Sequence, residues 1–397
     1  MICPGCKSER VIRNGGGRSR CKDCGKCFSL AKAGAGEFIS ANGDELTLLR
    51  RENGALRSEN KRLTNESADL SAIKRFIGTA SKNLSPAPAW LVKAPRQTKL
   101  IHGIPTLMLS DLHFGETVFS GQVNGVNEYN VAIAKRRLQR VVTGAIKLLR
   151  QTLAPGEFGG MVVPLGGDML DGVIHDELRD TADETALQSV VTLHDELVPA
   201  LKLLCDEFGK LHVPCVVGNH GRLDRKPRMK NGPALNLDWL LYQFLARTLG
   251  ADPKYRDRIT FQIPDGFDAS YRVHGVRYML THGDSFKGGS GITGPLLPWM
   301  RGDAKARKQY GALGMPYDVM LMGHWHQLRY LGQIIVNGCL PGFNEYALKM
   351  RFDFEPPQQA LWLTHPARGL TFQEAVFAED PRPMTESEWV SVQKAAA

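Results

Sequence analysis

Five short motifs, met in order along the chain, bring together carboxylates, imidazoles and one carboxamide: Asp111-Leu-His113, Asp168-Met-Leu-Asp171, Asn219-His220, His282 and His324-Trp-His326. Any one of them is weak evidence, because a lone histidine is more often structural than a ligand. Each, however, closes an apolar, strand-like run, and ligands of open α/β sheets gather at strand ends. The mixture suits a pair of divalent cations. Carboxylates supply negative charge and a bridge, imidazoles tune softness, and two cations about 3.5–4 Å apart activate water and grip phosphoryl oxygens. Asp168 is placed to bridge, since it stands where Met161-Val-Val-Pro-Leu165 gives way to the glycine-loosened loop Gly166-Gly-Asp-Met-Leu-Asp-Gly172.

A second set of ligand-type residues opens the chain. Cys3-Pro-Gly-Cys6 and Cys21-Lys-Asp-Cys24 are two C-x2-C knuckles, the spacing of a tetrahedral structural zinc site. Cys27 is an alternative ligand, but it would pair with Cys24 and leave Cys21 spare. Cys205, Cys215 and Cys339 stand alone in apolar contexts, so the eight cysteines read as metal ligands plus core, in a reducing, cytoplasmic setting, and not as a disulfide framework. Residues 1–82 hold 16 Lys and Arg against 9 Asp and Glu, seven of the nine net positive charges of the 397-residue chain. Nucleic acid is the expected partner of such a basic arm. No run of about 18 apolar residues is present, so no membrane span is expected.

Between these sets lies a leucine seam. Leu49, Leu56, Leu63, Leu70 and Ile77 recur every seven residues, with Asn53, Asn60, Ser67 and Lys74 at the intervening a positions and Leu46 leading in. Asparagine at a position a specifies register in parallel two-stranded coils, so the spacing predicts a homodimer; a single amphipathic helix lying on the catalytic domain is the alternative. Gly54 costs that helix about 1 kcal/mol relative to Ala. Pro86, Pro88 and Pro95 mark a semi-stiff linker. The expected domains are a ribbon at 1–32, a hinge and coiled-coil helix at 33–80, a linker at 81–99 and a catalytic domain at 100–397.

The elements that must position the five motifs follow from periodicity. Thr106 to Ser110, Met161 to Leu165, Val213 to Val217, Val276 to Thr281 and Asp318 to Met322 predict strands, and a period of two would place Asp111 with His113, and His324 with His326, on one face. Pro164 sits awkwardly in a central strand. Helices are predicted over Asn130 to Leu149, with Lys135, Arg136, Arg137 and Arg140 as a solvated face, over Thr185 to Phe208, and over Asn236 to Leu249, with Trp239 and Phe244 in the core. Ile334 to Val336 and Ala360 to Leu363 are further strand candidates, and Thr385 to Glu388 has the form of a capping box. The basic loop with Arg222, Arg225, Lys226 and Arg228 could hold a substrate's phosphates or simply be solvated. Gly288 to Gly294 could cradle an anion or serve as a flexible loop.

Two resemblances sharpen this reading. The stretch from Cys3 to Phe28 resembles the zinc ribbons at the front of bacterial transposases and related DNA-associated proteins, which implies DNA contact; a zinc-stapled protein-docking knob is the other use of such ribbons. Together the five motifs resemble the calcineurin-like metallophosphoesterase superfamily over about Leu100 to Pro341. That resemblance implies an α/β sandwich of two mixed sheets flanked by helices, one metal held by Asp111, His113, Asp168 and His326, and another held by Asp168, Asn219, His282 and His324. It gives His220 the role of a non-ligand catalytic histidine and Asp171 that of the carboxylate orienting it. The metals would be Mn, Fe, Zn or Co. Gly172 and Gly221 depart from the protein-phosphatase branch, which has Arg and Glu there, and Gly221 also departs from the acidic residue usual in the DNA-repair nuclease branch. The segments Asp168 to Arg179 and Pro356 to Trp362 look like bacteriophage-encoded members. The expectation is a two-metal hydrolase of nucleic-acid phosphodiesters, with a phosphomonoesterase of nucleotides or small phosphates, or a DNA-tethered protein with a vestigial site, as rivals.

Overall fold

A computed structural model of the chain describes residues 2–3, 5–14, 18–29, 53–54, 56–57, 103–153, 158–172, 174, 176–288 and 294–380. The chain divides into two compact units, Met1–Thr79 and Ala80–Ala397. In the first, strands β1 (Val11–Asn14), β2 (Arg18–Cys21) and β3 (Cys27–Ser29) form a three-stranded antiparallel sheet. Of the leucine seam, 53–54 and 56–57 are helical and the remainder lies outside the described residues, as do the linker, positions 289–293 of the glycine loop and the capping box at Thr385 to Glu388.

The second unit is an α/β sandwich of two mixed sheets. Strands β4 (Ile104–Leu107), β5 (Met161–Val162), β6 (Leu211–Pro214) and β7 (Ile259–Gln262) run parallel, and β13 (Gln358–His365) and β14 (Gly369–Phe377) extend them antiparallel in the order β14-β13-β4-β5-β6-β7. The other sheet has the order β11-β12-β10-β9-β8. Its parallel centre is β9 (Val276–Thr281), β10 (Val319–Met322) and β12 (Ile334–Val336), edged by β8 (Ala269–Val273) and β11 (Arg329–Tyr330).

Both sheets are covered on both faces, which is why their strands read as nearly continuous apolar runs. Alternation sorts the side chains. Tyr278 and Leu280 of β9 and Val319 and Leu321 of β10 join Met108, Val162 and Trp362 between the sheets. Met279, Met320 and Met322 face the other way, against Trp299 and Ala306 of the helix Leu296–Ala312. The outer face of the six-stranded sheet packs on helices α1 (Val131–Lys147), α3 (Ala186–Phe208) and α4 (Leu237–Ala251); the short helix α2 is Asp176–Thr181.

Most predicted elements lie where periodicity put them, and the differences have physical causes. Helix α3 starts from a reciprocal capping box between Thr185 and Gln188 and stops at Gly209, φ 86°. Strand β5 is only two residues long because Pro164 has no N–H to give; its carbonyl still accepts from Leu109 at 2.9 Å, and the ladder resumes at Leu165, whose N–H donates to Pro214 at 2.8 Å. Arg137 is not on a solvated face. It is 1% exposed and donates to the carbonyls of Leu340 and Pro341, to Asn127 and Glu128, and to the Glu379 carboxylate, while Arg136 and Arg140 remain at the surface. Phe244 is 39% exposed and so lies outside the core, whereas Trp239 packs against it. The helix Leu296–Ala312 and strand β14 had no expectation attached, since neither carries a clean period.

Candidate metal centre

The five motifs meet at one end of the parallel strands. Asp111, His113 and His326 offer donor atoms within 4.8 Å of one another; so do His113, Asp168 and His220, and so do Asp168, His282 and His324. His113 Nε2 lies 3.1 Å from His326 Nε2, which is 3.4 Å from Asp111 Oδ1. On the other side of Asp168, His282 Nε2 is 2.9 Å from its Oδ2 and 3.2 Å from Asn219 Oδ1. All seven residues expected as ligands are thus brought together, with Asp168 common to two of the groups.

The backbone achieves this differently from the expected pleat. Asp111, His113, Asp168, His324 and His326 all have positive φ, 53°, 43°, 49°, 68° and 55°. Alternate residues of Asp111-Leu-His113 and His324-Trp-His326 come together through left-handed turns beyond the strand ends, not through a strand's period of two. Each such conformation costs a non-glycine residue of order 1–3 kcal/mol. Backbone hydrogen bonds hold the turns: Asp111 N–H to Gly167, His113 N–H to the Asp168 carbonyl, and His324 N–H to Asp111 Oδ1 at 2.7 Å.

The donor set fits divalent cations. Asp111 and Asp168 are buried, and although burial opposes their charge, the surrounding imidazoles hold both below the usual carboxylate range. Burial likewise opposes a charged His282, yet Asp168 and Asp111 outweigh it and raise the imidazole to about 10. His324 is pushed down to about 4 by burial and by its neighbour His282. Buried carboxylates that demand positive charge, ringed by imidazoles competing to provide it, are what two cations would satisfy.

His220 stands beside this cluster. Its Nδ1 is 2.8 Å from Asp171 Oδ1, its N–H donates to Asp168 Oδ1 at 2.7 Å, and its ring meets that of His113 edge to face at 4.6 Å. Burial disfavours the imidazolium, but Asp168 and Asp171 raise it above the ordinary histidine value.

Three supports went unnoticed in the sequence. Asp238, in the first turn of α4, accepts from the N–H groups of Asp168, Met169 and Gly218 at 3.0, 3.2 and 2.9 Å, clamping two motif loops together. Asn236 caps that helix and donates to the Gly218 carbonyl at 2.8 Å. Burial and the nearby Asp168 push Asp238 up to about 6. An Asn cap followed by an acid in the first turn was the signal available. Ser110, Asn337 and Gln359 form a buried network that places Asp111: Ser110 Oγ donates to Asp111 Oδ2 at 2.5 Å and accepts from Asn337 Nδ2 at 2.9 Å, which also donates to Gln359 Oε1. Glu116 faces His113 Nδ1 at 4.0 Å and accepts from Asn344.

Of the basic loop, Arg222, Lys226 and Arg228 line a cavity of about 450 Å³ that reaches Gly218 and His282. Arg225 is not among its lining residues. Its guanidinium pairs with Asp176 of α2. In the N-terminal unit, the sulfurs of Cys3, Cys6, Cys21 and Cys24 converge within 4.8 Å, with Cys3–Cys24 at 3.6 Å and Cys6–Cys21 at 3.5 Å. Backbone N–H groups of Cys24 and Asp23 lower the Cys21 thiol to about 6, while the facing sulfurs of Cys24 and Cys21 raise that of Cys6, as expected of thiols that share one site and cannot all ionise without a cation.

No family model and no curated protein matches the chain. Solved structures similar to it include Vps29 from Entamoeba histolytica complexed with zinc (11% identity, 70% of this chain and 100% of that one, TM-score 0.29), a predicted phosphoesterase from Streptococcus pneumoniae (10%, 66% and 84%, 0.25) and a putative 5′-nucleotidase from Staphylococcus aureus (12%, 72% and 56%, 0.27). Among the described residues, no helix is long and apolar enough to cross a membrane.

Proposed function

We propose that the chain is a metal-dependent phosphoesterase of the calcineurin-like kind, acting on phosphodiesters of nucleic acid. The observation that carries this reading is the convergence of Asp111, His113, Asp168, Asn219, His282, His324 and His326 around one shared carboxylate, with the His220–Asp171 pair beside it. Asp111, His113, Asp168 and His326 would hold one ion, and Asp168, Asn219, His282 and His324 the other. When bound, two divalent cations, Mn, Fe or Zn by the ligand chemistry, supply an activated water and the charge that holds phosphoryl oxygens.

The chain's own residues do the rest. Asp171 fixes the His220 ring through Nδ1, so Nε2 is the nitrogen that hydrogen-bonds or protonates the departing oxygen. Arg222, Lys226 and Arg228 would neutralise phosphates flanking the reacting one. A vestigial site would be expected to have lost a ligand, and this one has lost none. A zinc ion on Cys3, Cys6, Cys21 and Cys24, a DNA-contacting arm and a parallel homodimer through Leu46 to Ile77 complete the proposal.

The test is a Mn²⁺ activity panel on the full chain comparing p-nitrophenyl phosphate, bis-p-nitrophenyl phosphate, and single- and double-stranded DNA. Cleavage of the diester and of DNA, with DNA affinity falling steeply as salt rises, is expected. A preference for the monoester by orders of magnitude, with DNA ignored, would replace this reading with a nucleotide phosphatase.

A further inference from the structure

The cavity beside His282 offers more than a phosphate requires. Arg222, Lys226 and Lys287 line it, and among the described residues none of these cations has an ion-pair partner within 4.0 Å; Arg222 Nε is buried without a hydrogen-bond acceptor. Arg228, by contrast, is engaged by Asp224 at 2.5 Å. The volume of about 450 Å³ lies within the roughly 300–1,000 Å³ usual for small-ligand clefts, well above the needs of a single phosphoryl group.

One wall is aromatic. Phe267, in the connection between β7 and β8, is 43% exposed and lines the cavity. It rests on the backbone of the basic loop at Gly232, where an added Cβ would stand 2.5 Å from Phe267 Cζ and 2.6 Å from the Arg228 carbonyl. The ring is therefore held in place by the same loop that carries the cations. Three carboxyls also line the cavity: Asp224, which is paired with Arg228, Asp284, and Asp268, which accepts from Tyr310 at 2.6 Å. A ring face for stacking, cations for phosphate and carboxylates that accept from exocyclic amino groups are together the chemistry of a nucleotide with an amino-bearing base.

We infer that this cavity is a nucleotide subsite: it holds the adenine- or cytosine-bearing nucleotide next to the reacting phosphate, stacked on Phe267 with its own phosphate toward Arg222, Lys226 and Lys287. The inference rests on the phosphoesterase reading for its place in the reaction, and it is testable without turnover.

The experiment is calorimetric titration of the full-length, Mn²⁺-loaded chain with the 5′-phosphonates of adenosine and cytidine, in which carbon replaces the ester oxygen, and with the ribose phosphonate lacking a base. At least one base-bearing ligand should bind about tenfold or more tightly than the base-free one, since stacking on an aromatic ring is worth about that factor. Phe267→Ala should erase the difference, Phe267→Trp should restore it, and Lys287→Gln should weaken all three ligands together. Phe352→Ala, at an exposed aromatic outside the cavity, should leave binding unchanged. Equal binding of all three ligands by the unaltered chain, or base-dependent binding that survives Phe267→Ala, would overturn the subsite. Hydrolysis of p-nitrophenyl phosphate and bis-p-nitrophenyl phosphate by the same preparation separates the two ideas: absence of both with base-dependent binding intact sinks the phosphoesterase reading alone.

Discussion

His220 Nδ1 lies 2.8 Å from Asp171 Oδ1, a contact that holds the histidine ring in its orientation. His220→Ala should therefore keep both active-site cations while lowering kcat on bis-p-nitrophenyl phosphate by about 10²- to 10⁴-fold, the range of a lost general acid. Metal analysis alongside kinetics decides. Loss of an ion in this variant would move His220 into the ligand shell.

Gly172 packs too closely to admit a side chain. A Cβ there would stand 1.9 Å from the His220 carbonyl oxygen, a backbone atom that can yield only by moving His220 itself. Gly172→Ala is expected to lower kcat about 100-fold, the cost of roughly 1 Å of misplacement, with metal content retained. Unaltered kcat would show that the His220 segment adapts freely.

Asp238 touches no expected ligand side chain, yet it receives three backbone N–H groups from two motif loops. Asp238→Ala would leave those buried donors without an acceptor and is expected to cost more than about 3 kcal/mol in folding stability, with loss of metal affinity. Urea denaturation measures it. A change under about 1 kcal/mol would mean the loops hold themselves.

His212 of β6 is buried between the sheets, against Tyr271, and burial lowers it from 6.5 to about 4. Its folded form is neutral, so its contribution to stability is complete above about pH 6.5. As pH falls from 6.5 toward 4, the unfolded chain takes up a proton that the folded chain refuses, and roughly 3 kcal/mol is lost. His212→Leu should flatten the stability profile across that window in denaturant titrations. A profile identical to that of the unaltered chain would assign the acid sensitivity elsewhere.

The residues that converge were legible in the sequence because each closes a strand whose apolar run is visible, and helices α1, α3 and α4 were legible from their period of 3.6. The mechanism that gathers them was not. The left-handed backbone at Asp111, His113, Asp168, His324 and His326 is only weakly signalled by residue type, since Asp and His tolerate that region in many settings and here tertiary hydrogen bonds impose it. Gln359 sits in a stretch singled out only for a resemblance, Pro356 to Trp362, but its task of bonding Ser110 and Asn337 depends on β13 pairing with β4 across some 250 residues of chain. Arg137 read as one of four surface cations, since helical spacing alone does not show which of four neighbouring positions faces the loop at Leu340. Arg225 reads like Lys226, and only the placement of Asp176 separates them.

Whether Asp168 is shared by two cations is decided by metal content per chain, measured by mass spectrometry after loading with Mn²⁺. The unaltered chain should carry two Mn ions beyond the zinc on its cysteines, and Asp168→Asn should lose both while keeping the zinc. A single Mn in the unaltered chain, or two retained by Asp168→Asn, would contradict the shared-carboxylate site.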